Sequence, residues 1–494
     1  MNPAATALVP RFSAPASVRR DDTDTVLNRL EWATLVHVGL LVVATTWAFG
    51  GQAERVREPL SVLASAGVLI TAAGLASRAF RRSPRFGLWR CLPALLLLGL
   101  LVLAGVFSPS LREDQSGELL VLASVPPWLP SSARPALAHR ALWYFGAVWV
   151  SALNVLLFLR RGRTLRALLL ILAGNALLLA IVGTLQKLSG AGGIFFGTVP
   201  VPQPRFFSTF VYHNHWGAFT VMMLALVAGL GWHHVRAIRS RDMLQGPLPA
   251  VVFAVVTLGI TLPLSGSRSC TLLGAMLLGG ASIHVAVYSA HRRREKGHSA
   301  LPPIIGLVLL WIGFTGAAWL TGRDTIRDRL ETSRSQIAAM REAGGIGDRA
   351  LLYGNTWRMA LDKPVFGWGM ASYPHVFHGF YNTRVSPDRL PVFYNDAHND
   401  WLQAVAEHGI AGTGLLAACA AVPLWLCRRD ILRSMTARYL LAGLGMVLAY
   451  ALLEFPFGNR ANVLVWWTLF FAALAHARAL EGTPSAPLAA RERI

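Results

Sequence analysis

Acidic side chains are scarce in this chain: 25 Asp and Glu stand against 46 Lys and Arg, and charged residues of both signs fill only 14% of its 494 positions. A soluble domain carries about a quarter charged residues, so an ordinary soluble fold is excluded. Cysteine is also rare, with only Cys91, Cys270, Cys419 and Cys427. All four sit in or beside apolar runs and no two form a CxxC pair. That argues for buried single thiols and against a disulfide framework or a zinc site. The first 30 residues are polar, with no apolar core, so no cleavable signal peptide is expected. Short segments of strict apolar–polar alternation are missing, and with them the signature of a membrane barrel. The net charge of +21 does not point to nucleic acid, because the arginines lie between hydrophobic runs rather than in a basic groove interleaved with aromatics.

What the chain has instead is long apolar runs. Twelve are readable, near 32–50, 59–77, 89–107, 141–159, 165–186, 213–232, 248–265, 269–290, 302–320, 409–427, 438–456 and 461–478. Each is long enough to cross a hydrocarbon core of about 30 Å. Backbone polar groups in lipid must pair internally, so these runs predict helices. The fold class expected is an all-α polytopic membrane protein of about twelve spans. Basic residues fix its orientation. With the N-terminus cytoplasmic, the even-numbered loops hold clusters such as Arg78, Arg81 and Arg82, or Arg292, Arg293 and Arg294, while the short odd-numbered loops hold few. That is the positive-inside pattern, and it puts both termini in the cytoplasm. The organisation expected is a cytoplasmic tail at 1–31, nine spans over 32–320, a long outward loop at 321–398, an amphipathic helix and three spans over 399–480, and a tail at 481–494. The long loop is rich in aromatics, among them Tyr353, Trp357, Trp368, Tyr373, Phe377 and Tyr394. It therefore predicts a folded subdomain that rests on the membrane interface or contacts a large ligand, rather than a disordered segment.

Three polar stretches fall on the outward side. In the first, Asn399, Gln403 and Glu407 recur every four residues, a polar stripe on a helix, with His398 at its head. A histidine near the membrane surface suits a general base; the plainer reading is an interfacial helix whose histidine only caps it. The second is Ser265-Gly-Ser-Arg268, a tight turn between two runs. The fork of Arg268 suits a diphosphate, and snorkelling to headgroups is the alternative. The third runs from Arg205 to Gly217 and places Arg205 before a span and Asn214 inside it, with His213 and His215 on either side. Two histidines two apart suggest a metal, but no nearby carboxylate completes a ligand set, so none is expected. Arg349 and Arg358 are lesser candidates, their spacing suggesting one side of a helix, and Glu454 and Arg460 are expected to pair structurally across the last outward turn.

The order and spacing of these stretches, with Asp362-Lys-Pro-Val-Phe-Gly-Trp-Gly369 and His398-Asn-x-x-Leu-Gln403 followed by Glu407-x-Gly409-Ile-x-Gly412, resemble the O-antigen ligase/polymerase superfamily of bacterial membrane glycosyltransferases. The likeness covers roughly residues 200–415. It implies a GT-C-like fold in the inner membrane, with a large periplasmic loop between late spans. It implies transfer of a glycan from an undecaprenyl-diphosphate carrier to a glycan, lipid A core or protein acceptor on the periplasmic side, with no cofactor and no metal. By motif, the functional residues are Arg205, Arg268 and His398, with Asn214, Arg349, Asn399, Gln403 and Glu407 as substrate contacts. Tyr212-His213-Asn214 departs from the family, where many members have proline before the asparagine. Ligation, polymerisation and protein O-glycosylation stay open, and outside the class stand a transporter of lipid-linked sugars and a membrane scaffold. A transporter would show charged residues at mid-membrane or broken helices; here the polar candidates gather at one surface.

Overall fold

The computed structural model describes residues 17–113, 119–121, 125–201, 205–237, 246–309, 311–313, 315–316, 319, 331, 348–381 and 393–479. The tail at 481–494, nearly all of 321–347, and residues 382–392 of the long loop lie outside them. The principal helices are α1 (Ser17–Trp47), α2 (Glu54–Ala76), α3 (Leu92–Val106), α4 (Pro135–Phe158), α5 (Gly162–Leu188), α6 (His213–Ala237), α7 (Leu248–Ser265), α8 (Arg268–Glu295), α9 (Asp348–Asp362), α10 (Asp400–Ile431), α11 (Met435–Tyr450) and α12 (Arg460–Ala479). The only strands among the described residues are two short antiparallel hairpins, Leu111–Glu113 with Leu119–Val121 and Gly193–Ile194 with Val199–Pro200.

Among the described residues, nine helices are long and apolar enough to cross a membrane, and Leu301–Gly313 and Met435–Tyr450 are shorter apolar ones. The helix α11 ends at Tyr450, short of the expected 456, so Glu454 stands in a connecting turn. Helices α4, α6 and α12 are buried on nearly every face and form the centre of the bundle, with α11 and α7 against α6, and α2 and α12 against α4. Close packing follows from small residues at the crossings. A Cβ on Gly67 of α2 would fall 2.0 Å from Ser151 Oγ of α4, and one on Gly443 of α11 would fall 2.3 Å from Ala225 Cβ of α6. Lipid tails give no hydrophobic drive between helices, so such contacts and buried polar bonds hold the bundle. Between α2 and α4, Thr71 Oγ1 donates to Asn154 Oδ1 at 2.6 Å and Asn154 Nδ2 to Gly67 O at 2.8 Å.

The long loop builds a second apolar cluster, with Leu352, Met359, Trp368, Tyr373 and Phe377 buried together with Ala406 of α10. Its joint with α10 is made of backbone. Gly409 has φ 61° and ψ −173°, which breaks the helix. Two N–H groups that would bond four residues back, those of Ile410 and Ala411, instead donate to Pro364 O at 2.9 Å and Val365 O at 3.0 Å. The carbonyls thus released, of Ala406 and Glu407, accept from Trp368 N at 3.1 Å and Gly369 N at 2.8 Å. These four groups freed by the kink are satisfied, as a site near a membrane requires.

Candidate active site

His398 is the last but one residue before α10 and has φ 51°, a left-handed conformation rare for a side chain other than glycine. It is held from both sides. Tyr353 of α9 donates its hydroxyl to His398 O at 2.9 Å, and the imidazole Nδ1 lies 3.1 Å from Glu454 Oε2. The Phe455 ring packs edge-on to the imidazole at 4.6 Å. Glu454 is 5% exposed. Its other oxygen accepts from Arg349 Nη2, whose Nη1 also donates to Leu453 O at 2.9 Å. Burial alone would raise the Glu454 carboxyl, but the bond to His398 and the charge of Arg349 outweigh it and hold the group below the usual carboxylate range. Glu454 is therefore an anion that orients the ring. With Nδ1–H donating to it, Nε2 carries the free lone pair.

Asn214 joins the site through an aromatic relay. Its Nδ2 donates to Tyr212 Oη at 2.8 Å, and the Tyr212 ring stacks on Phe455 at 5.3 Å. His215 Nε2 lies 3.1 Å from Phe455 O. Arg205 is exposed, and its carbonyl accepts from His213 N at 3.1 Å, folding the loop back over the head of α6. The turn between them is pinned by Gln186 Nε2 on Ser208 O at 3.1 Å and by Thr209 Oγ1 on Thr46 O at 2.7 Å. Arg268 is the exposed first residue of α8, after Gly266 at φ 81°. Its helix meets α6 at Gly217, where an added Cβ would fall 2.7 Å from Cys270 Cβ and 3.0 Å from Ser267 Oγ. The heads of α10 and α12 come to the same end: Asp400 Oδ2 accepts from Phe457 N at 2.9 Å, and Asn462 Nδ2 donates to His215 O at 3.1 Å. Four helix N-termini thus share one end of the bundle. Each carries about half a positive charge, a setting that favours anions.

The polar stripe on α10 faces inward. Asn399 is the N-cap, accepting from Leu402 N at 3.0 Å. Gln403 Oε1 accepts from Ala397 N at 3.0 Å and its amide reaches Glu407 at 3.4 Å. Glu407 is buried and accepts from Ala371 N at 2.9 Å and Tyr373 N at 3.0 Å. Gln403 and Glu407 spend polar atoms on the loop backbone, and Asn399 caps the helix directly after His398, which is a positioning geometry. Two readings need correction. Glu454 does not pair with Arg460, which instead bonds Arg57 O at 3.1 Å and lies over the Tyr144 ring at 4.3 Å. Arg349 and Arg358 do not share a face, because nine residues are about two and a half turns; Arg358 bonds Asn355 on the far side. Among the described residues no three His, Cys, Asp or Glu side chains gather as a metal would need, and all four cysteines are buried free thiols.

Glu454, Tyr353, Tyr212 and Phe455 are the site residues that the motifs did not single out for this role. The available signal was Glu454 itself, an acid set between two apolar runs at the outward end, where an ionisable residue is functional by default.

Asp396 sits two residues before His398. Burial pushes its carboxyl up from 3.8 to about 6, against the pull of the His398 imidazole. A raised carboxyl makes the folded state the better proton binder. Its contribution to stability is therefore present below the ordinary value and lost as pH rises through about 6. Asp396→Asn is accordingly expected to raise thermal stability in detergent at pH 8 by on the order of 2 kcal/mol and to change little at pH 4. An equal effect at both pH values would show that the carboxyl is not titrating in this way.

Nine helices among the described residues that are long and apolar enough to cross a membrane, carrying a folded loop, define the class of a multi-pass membrane protein. Residues 253–417, a third of the chain from α7 into α10, match the family model described as O-antigen ligase. The match supports placing the protein in the O-antigen ligase superfamily, whose members process glycans at membranes. It takes in Arg268, Arg349 and His398, while Arg205, Asn214 and Glu454 lie outside it. No curated protein matches the chain.

Proposed function

We propose that this protein is a glycosyltransferase that moves a glycan from an undecaprenyl-diphosphate carrier to an acceptor hydroxyl on the periplasmic face of the inner membrane. The observation that carries this reading is the His398–Glu454 pair at 3.1 Å, set among four helix N-termini. His398 Nε2 takes the proton of the acceptor hydroxyl as its oxygen bonds to the anomeric carbon. The bond from that carbon to the carrier diphosphate breaks, and the diphosphate leaves with the electron pair. Arg205, Arg268 and the helix N-termini stabilise the charge that grows on it. The imidazolium formed is balanced by Glu454. Base and leaving-group donors act on opposite partners, so the anomeric centre inverts in one displacement. Asn214 contacts the donor near the head of α6; Asn399, Gln403 and Glu407 hold the histidine loop, and Arg349 holds Glu454. Ligation to lipid A core, polymerisation of repeat units and O-glycosylation of protein differ only in the acceptor.

The test uses membranes that contain the lipid-linked glycan and follows release of the carrier diphosphate. Wild type is expected to release carrier as the glycan appears on an acceptor. His398→Ala is expected to lose about 10²–10⁴ of that rate, and Arg268→Ala on the order of 10², at matched amounts of folded protein. A glycan that crosses the membrane still attached to its carrier would make the protein a transporter instead.

A further inference from the structure

A loop helix that stood in water would bury one face and present a polar one. In α9 the buried face is Leu352, Asn355, Thr356, Met359 and Ala360. The other face carries large apolar side chains beside exposed Arg358 and Asp362: Leu351 is 47%, Trp357 51% and Leu361 56% exposed. Apolar side chains of this size on both faces of one helix call for a second apolar surface. Within that face Arg358 stands between Leu351 and Leu361, and its guanidinium turns back along the helix to Asn355, a long side chain that can reach the headgroups from such a position. The stripe then continues through exposed Val365, which is bonded through its carbonyl to Ala411 N at 3.0 Å. Beside it is Ile410, 71% exposed, where the apolar run of α10 begins. The exposed face of α9 is thus continuous with the outward side of a membrane-crossing helix.

We propose that α9 lies in the bilayer interface, with Leu351, Trp357, Leu361 and Val365 in the outer edge of the acyl region. Tryptophan favours that level, and an in-plane helix buries its apolar face roughly 5–10 Å into the headgroup boundary. The adjoining ridge of the same helix holds the site, through Arg349 on Glu454 and Tyr353 on His398 O, eight and four residues before Trp357. Docking α9 on lipid therefore fixes the height of the histidine–glutamate pair above the membrane, at the depth where a lipid-borne phosphate presents itself. The docking stands on its own geometry; its meaning for the depth of the donor rests on the glycosyltransferase reading.

The test places single cysteines at 351, 357 and 361 of the full chain, reconstituted in phosphatidylethanolamine–phosphatidylglycerol vesicles. The four native thiols are buried, and the unsubstituted chain gives the background. Nitroxides at these positions are expected to collide with oxygen in preference to a water-soluble nickel chelate, by several-fold over a label at Gly379, which is exposed. A second reading keeps the native cysteines alone: the Trp357→Phe variant is expected to show less quenching by brominated lipid than wild type. Labels that favour the nickel chelate would overturn the proposal, as would labels immobilised and spin-coupled between two copies, which would assign the stripe to a second chain. Neither readout depends on transfer activity, so an inactive protein with lipid-exposed labels would strike only the glycosyltransferase reading.

Discussion

Glu454→Gln is expected to leave the protein folded and to cost about 10²–10⁴ in turnover, the range of a lost general base. The amide matches the carboxylate in size, so the burial of this side chain, 5% exposed, is kept. Its charge is gone. The imidazolium formed during proton transfer then has no counter-ion 3.1 Å from Nδ1, and the amide can present N–H where Nδ1–H needs an acceptor, turning the ring or its tautomer. Arg349 loses its anion as well, but keeps Leu453 O; being half exposed, it has water to turn to, and Arg349→Ala is expected to cost only about tenfold. The double variant His398→Ala/Glu454→Gln should be no slower than His398→Ala alone, because residues that act as one unit are not additive. Carrier turnover at saturating donor is the measurement. A Glu454→Gln protein that works at the wild-type rate would show that the carboxylate only braces the turn, and the base would have to be sought elsewhere.

The legible part of this molecule was whatever is written in local pattern. Apolar runs gave the helices because lipid forces the backbone to satisfy itself, and a stripe with a four-residue period gave the start of α10. The cap falls on Asn399, one residue after the histidine to which the plainer reading gave it. The site was legible only by halves. His398, Arg268 and Arg205 stand at the ends of runs, where polarity is conspicuous. The partner of His398 is 56 residues away and was assigned to the nearest opposite charge, Arg460, across its own turn. Sequence distance misled here because Arg460 starts a helix and its side chain is drawn off to Tyr144 and Arg57. Glu407 misled in the other direction. Its spacing put it in line with Gln403, but the helix buries that face against the loop, so its carboxylate binds backbone N–H groups. Periodicity tells which residues share a face; it does not tell what covers the face.

Gly409→Ala is expected to be the most damaging single-methyl change in the chain. At φ 61° and ψ −173° the residue occupies a region open essentially to glycine, at a cost of about 1–3 kcal/mol for any other residue. Space is closed too. A Cβ would lie 2.3 Å from Val365 C and O and 2.5 Å from Phe366 N, which are backbone atoms and cannot swing away. Gly367 mirrors it, at φ 69° and with an added Cβ 2.5 Å from Glu407 C. The two glycines are one joint seen from its two sides. To admit a methyl group, the turn at 363–369 must lift from α10, and the four backbone bonds that replaced two helical ones are lost with it. A loss above about 4 kcal/mol is therefore expected, read as a collapse of folded yield and of the melting temperature in detergent. Gly414→Ala, five residues on, is the control: nothing lies within 4 Å of its added Cβ, and in a helix the change should stabilise by up to about 1 kcal/mol. If Gly409→Ala folds as well as Gly414→Ala, the joint is not what holds the loop to the bundle. If only Gly409→Ala fails, the motif glycines are explained by backbone meeting backbone. The loop that carries Tyr353, Arg349 and His398 is then seated by them, and the distance from imidazole to carboxylate is set by that seat.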